Sequence, residues 1–168
     1  MQDEHTDRLG LPLLWAGQAQ KELFHNEALT LIDIGVQASV VAVGGSDPPS
    51  DPQHGACWIV GPLGRGAWEG QDQALAGWTG GGWRFIAARE GMMVWSKADG
   101  MTARYRSGQW QVGEVTARSV SIGGYQVLGE REAAILDPVG GEIVDGEARE
   151  ALKSVLLALR AHGLIAAE

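Results

Sequence analysis

A chain of 168 residues with 25 Gly, 7 Trp, one Cys and a formal charge of −8 is long enough to bury one core, and its Gly and Trp content suits short strands and tight turns better than a helical bundle. Lys and Arg are scattered, so no basic patch forms to neutralise phosphates, which argues against nucleic acid or an anionic membrane as partner. Cys57 stands alone and excludes an intrachain disulfide. The start "MQDEHTDR" lacks the basic and apolar run of a leader, and no stretch has the ~20 apolar residues of a membrane span, so synthesis in the cytoplasm without membrane insertion is expected.

In chain order, residues 9–43 read as an entry segment and a helix. Asn26 fits an N-cap, Glu27 fits the first turn, and Leu29, Ile32, Val36, Val40 and Val43 follow at helical spacing. Gly35 and the β-branched Val40, Val41 and Val43 weaken the helical reading at its end and leave a strand open there. The polar stretch at residues 17–27, "GQAQKELFHNE", reads either as a segment docking into a particle or adjoining subunit, or as a loop whose amides cap the helix. Three Pro and two Asp make residues 44–55 a loop.

Residues 56–128 read as a β meander. "ACWIV", "GWRFIA" and "GMMVWS" are strand candidates. Asp99-Gly100 joins "GMMVWS" to "MTARYR" as a hairpin because Gly tolerates positive φ, Ser107-Gly108 repeats the device before "QWQV", and Gly123-Gly124 pairs "RSVSI" with "YQVL". In "MTARYR", Met101, Ala103 and Tyr105 share one face and Thr102, Arg104 and Arg106 the other, so one face is core and one is wet.

From Gly129 the character changes. Pro138 and Gly140-Gly141 break the chain, and a closing helix starts near Asp145. Asp145 caps it, Glu147 suits its positive start, Arg160 and His162 suit its negative end, Gly163 ends it, and Leu164 folds back on Leu159. Ala148, Leu152, Val155, Leu159 and His162 form a seam spaced four, three, four, three. Ala151, Leu156 and Ala158 widen it, while Leu157 lies nearly opposite. So wide a stripe suits more than two helices, or a seam plus docking on the β body. Leu152, Val155, Leu156 and Leu159 are therefore the expected oligomerisation residues.

For chemistry, His5, His25, His54 and His162 show no metal-ligand spacing, and no cofactor or metal motif occurs. Glu69 with Asp72, or Asp137 with Glu142, supply the two carboxylates a glycosidase needs, but such pairs arise by chance among 21 acidic residues. Sugars stack their C–H faces on aromatic rings while polar side chains bind their hydroxyls. Trp68 with Glu69, Gln71 and Asp72, Trp78 with Thr79, and Trp110 with Arg104 and Arg106 are the candidate carbohydrate contacts. Trp58, Trp83 and Trp95 read as core filler in strands.

Residues 8–33, "RLGLPLLWAGQAQKELFHNEALTLID", and 66–95, "GAWEGQDQALAGWTGGGWRFIAAREGMMVW", resemble an uncharacterised domain family of alphaproteobacterial prophages and gene transfer agents. Residues 127–165, with "DGEAR" and "LRAHGLI", resemble the closing segment of tail-fibre and spike proteins from the same sources. Ala88 and Met92 depart from that pattern, where Pro and an aromatic are common. The resemblance implies a virion protein, a spike or tail-fibre subunit that touches host capsular or surface polysaccharide, and no known enzyme. With it, the expectation is an α+β, mainly β fold. A Trp/Gly-rich antiparallel meander, or a small barrel or sandwich, at residues 56–128 is flanked by an N-terminal helical attachment segment at 1–43 and a trimerisation helix within 129–168. Partners would be two further copies, other virion proteins through the N-terminal segment, and the polysaccharide. A stand-alone carbohydrate-binding module is the alternative, and a glycan hydrolase the third.

Overall fold

Among the described residues, ten strands in three open sheets, with one α-helix near the start and one near the end, make the fold α+β and mainly β. The computed structural model describes residues 5–14, 21–141 and 145–166, and the chain divides into two units, residues 1–115 and 116–168. The expected β region 56–128 contributes to both. Residues 17–20 of the polar N-terminal stretch and Glu142 lie outside the described residues.

In the first unit, helix α1 (Lys21–Gly35) is followed by β1 (Ser39–Val40), β2 (Val43–Gly45), β3 (Cys57–Val60), β4 (Leu75–Thr79), β5 (Gly82–Ile86), β6 (Met93–Ser96), β7 (Met101–Arg106) and β8 (Gln109–Val112). They form two four-stranded sheets, ordered β1-β6-β7-β8 and β2-β3-β4-β5. The antiparallel hairpins turn where the sequence places Asp99-Gly100 and Ser107-Gly108. The short strands β1 and β2 instead pair in parallel with β6 and β3.

Both sheets feed one core of Ile34, Ala38, Val40, Cys57, Ile59, Leu75, Val94 and Ala103. The apolar stripe of residues 29–43 is thus not one helix. α1 stops at Gly35, Gln37 takes a positive φ, and Val40 enters the core from β1. The apolar residue α1 buries is Ile34, not Ile32, and it packs over Gly77 of β4, where a Cβ would lie 2.6 Å from the Ile34 Cδ1 atom. Strand β4 carries that Gly because the helix crosses there.

Asn26 is not a cap but lies within α1. Its side chain clamps the main chain of Leu14, accepting from Leu14 N at 2.9 Å and donating to Leu14 O at 3.0 Å. At the other end of α1, buried Asp33 accepts from the Thr6 hydroxyl and from Arg8 N, both at 2.9 Å, and from Leu9 N. The Arg8 guanidinium donates to the carbonyls of Asp33, Ile34 and Gln37. A cation there satisfies carbonyls that a helix end leaves without partners.

The second unit holds the hairpin β9 (Val120–Ile122) and β10 (Tyr125–Leu128), turning at Gly123-Gly124, and helix α2 (Gly146–Ala161). The ends of α2 follow the sequence reading. The Asp145 carboxylate accepts from Ala148 N at 2.9 Å, Gly163 has φ 70°, and Leu164 N donates to Leu159 O at 3.0 Å. The preceding segment is tied to the helix by Arg160, which bonds Asp137 at 3.0 Å and the Ile135 carbonyl at 2.6 Å, and by Arg149, which donates to the Gly140 carbonyl.

Candidate functional site

The aromatic residues sort by the faces of the two sheets. Pairing across β3, β4 and β5 sets Trp58 opposite Ala76, Ala76 opposite Phe85, and Trp78 opposite Trp83, so these residues share the face away from the core. Trp68 sits on that face at 1 % exposure, with ring centroids 5.3 Å from Trp83 and 6.4 Å from Trp58. Offset and edge-on packing at such distances is favourable for aromatic rings. Trp68 is therefore the plug of a small second core with Val60 and Ala76, and it cannot stack on a ligand. Trp78, half-buried, packs 5.1 Å from Trp83.

Around the plug, Glu69 is exposed beside a buried ring. Asp72 is spent on the loop, accepting from Leu63 N at 3.1 Å and Gly64 N at 3.0 Å. Those two N–H bonds hold its carboxyl below the usual carboxylate pKa. A general acid needs the opposite shift, so Asp72 lacks the setting of the acid in a glycosidase pair with Glu69. Asp137 is paired with Arg160.

Trp110 also leaves the expected group. It lies opposite Tyr105 in the β7–β8 ladder, whereas Arg104 lies opposite Gln111 and Arg106 opposite Gln109. The ring of Trp110 packs on the main core, and its Nε1 donates to the Gln73 carbonyl at 2.9 Å. The two arginines project from the other face.

That other face supplies an aromatic residue, Trp95, that the sequence pattern alone reads as core filler. In β6 the inward residues are Val94 and Ser96, which turns Met93 and Trp95 outward, Trp95 at 47 % exposure. Ser39, Trp95 and Thr102 form one row across β1, β6 and β7, and Met93, Arg104 and Gln111 form the next across β6, β7 and β8. Arg104 is thereby diagonal to Trp95, at roughly 7 Å between such positions and within reach of long side chains. Its Nη2 lies 3.5 Å from the Met93 sulfur. The result is a platform on which an exposed indole lies beside Thr102 and diagonal to Arg104, with Gln111, Arg106 and Gln109 farther along the same face.

A cleft of about 450 Å³ lies between α1, the segment at residues 5–14 and the β4–β5 turn. Several of its polar groups serve the fold: Glu27 pairs with Arg84 at 2.8 Å, Asn26 holds Leu14, and Asp33 holds Thr6 and Arg8, whereas Glu22 Oε2 is buried without a hydrogen-bond partner among the described residues. Cys57 is buried in the core, and that burial raises its thiol pKa, the setting of an inert thiol.

Of the expected oligomerisation residues, Leu152 and Val155 are exposed at 52 % and 56 %, and Leu159 is half-buried. Leu156 is 5 % exposed within the single chain and offers nothing to a second copy.

The family model described as "Protein of unknown function (DUF2793)" matches residues 25–111, more than half of the chain. The chain belongs to the DUF2793 family. Its DUF2793 region runs from α1 into β8, so it contains both four-stranded sheets, the Trp68 plug and the Trp95 platform, while the whole second unit lies beyond it. No curated protein matches the chain.

Proposed function

We propose that this DUF2793 protein is a structural attachment subunit of a phage-type particle or gene transfer agent. It is a spike or tail-fibre component that assembles as a trimer through its second unit and holds host-surface polysaccharide on the outer face of β6, β7 and β8. The observation that carries this reading is Trp95: a large ring left outward in an ordered strand, with guanidinium, amide and hydroxyl groups around it. Such a ring stacks on the apolar face of a sugar while its neighbours bond the hydroxyls. A flat platform suits a polymer, whose length would not fit a closed pocket.

The second unit supports multivalency. Leu152 and Val155 stand exposed on a capped, regular helix, and Leu136 and Val139 are exposed beside it. Three such helices zipped along this seam bury those groups, and each trimer then presents three platforms, which strengthens weak single-site binding. Exposed Leu23 and Phe24 on α1 give the first unit a surface for neighbouring virion proteins. The resemblance of residues 127–165 to the closing segment of spike and fibre proteins agrees with this assignment.

The test is adsorption of the purified protein to host cells and to a glycan array. Trp95→Ala should lower binding by on the order of tenfold or more with the oligomer intact, and unchanged binding would contradict the reading. A stand-alone carbohydrate-binding module is the second reading, favoured by the platform's lying wholly in the first unit. It requires a single-chain mass with the same sensitivity at Trp95.

A further inference from the structure

We infer that the polysaccharide this platform takes is acidic, its sugars carrying an anionic group such as a carboxylate or a sulfate. The inference rests on the attachment reading above and adds the ligand's charge. The protein as a whole carries a formal charge of −8, yet residues 93–112, which build the platform, contain Lys97, Arg104 and Arg106 against a single acid, Asp99. That acid is turned to the protein, accepting from the Ser96 hydroxyl on the buried side of β6. The nearest acid before the strand, Glu90, is likewise engaged, accepting from Ser107 N at 3.0 Å.

Arg104 is the decisive group. It stands diagonal to Trp95, and its guanidinium rests on the thioether of Met93, a weak acceptor that leaves the positive charge uncompensated. None of the ion pairs among the described residues includes it. A sugar ring stacked on Trp95 therefore brings its substituents within reach of a fork that binds carboxylate or sulfate through two parallel bonds. A basic island on an acidic protein also repels most of the molecule from an anionic polymer while drawing this face to it, which fixes the orientation of encounter.

The experiment is calorimetric binding of the intact protein to polygalacturonate, dextran sulfate and neutral dextran, at low and high salt. Expected is binding to at least one acidic polymer on the order of tenfold tighter than to dextran, with the advantage fading as salt rises. Arg104→Gln should remove that advantage, so that the acidic polymers bind no tighter than dextran, Arg104→Lys should keep most of it, and Trp95→Ala should weaken all binding. Equal affinity for neutral and acidic polymers, an Arg104→Gln variant with the wild-type preference, or no binding to either acidic polymer would overturn the inference. Dextran bound as tightly as the acidic polymers, with all of this binding abolished by Trp95→Ala, would leave the attachment reading standing while the charge assignment falls.

Discussion

The carboxylate of Asp33, buried at the end of α1, gathers the Thr6 hydroxyl and two main-chain N–H groups and so fixes the entering segment on the helix. Its removal strands several donors at once, and a buried donor without a partner costs about 1–3 kcal/mol. Asp33→Ala should therefore lower unfolding stability by about 3 kcal/mol in denaturant titration, and Asp33→Asn by less. Asp72 gives a pH dependence of definite sign. Because its folded-state pKa is depressed by the Gly64 and Leu63 N–H groups, its stabilisation is complete above the ordinary carboxylate value, about pH 4, and is lost as pH falls through the lower folded value. The amide resonances of Leu63 and Gly64 should report that loss in an acid titration, and Asp72→Ala should abolish the transition. Trp68 and Trp95 show why the site was only half legible at this scale. Strand spacing says that Val94 and Ser96 face opposite to Met93 and Trp95, but either pair could be the inner one. An aromatic ring reads as the better core residue, and only the cross-strand partners put Val94 inside.

At the scale of elements, α2 was readable from sequence because its signals are local. Asp145, Glu147, Gly163 and the fold-back of Leu164 on Leu159 all lie within a turn of the helix they delimit. The end of α1 was legible only in part: Gly35 and the β-branched Val40 and Val43 left a strand open there, yet Val36, Val40 and Val43 also continue a helical spacing that the chain abandons to place Val40 in a sheet, a choice made by distant Trp95 and Ser96. β4 was missed for a related reason. "LAGWT" carries a Gly that weakens a strand signal, and only the crossing of Ile34 over Gly77 explains it. Within α2 the structure separates two kinds of leucine. Leu156→Ala should destabilise the folded chain by about 2–5 kcal/mol, as truncation of a buried Leu does, measured by thermal or denaturant unfolding of the chain at concentrations where it is a single copy. Leu152→Ala combined with Val155→Ala should leave the helix content of that single copy nearly unchanged and instead reduce the mass of the assembly.

For the molecule as a whole, the two units differ in what they can bury. The first encloses a core fed by both four-stranded sheets and a second aromatic core, so a chain ending at Val115 should fold alone, with cooperative unfolding and dispersed tryptophan-region signals. The second is about 50 residues, a size at which one chain rarely supplies enough buried surface, and it leaves Leu136, Val139, Leu152, Val155 and Leu157 exposed. On the proposed reading, the DUF2793 body would bind and the closing unit would multiply the binding. The most direct measurement is the mass of the intact protein in dilute solution by light scattering. Three times the 17.8 kDa chain mass is expected, falling to one chain when residues 116–168 are removed; a stable single chain in the intact protein would contradict the trimeric attachment subunit.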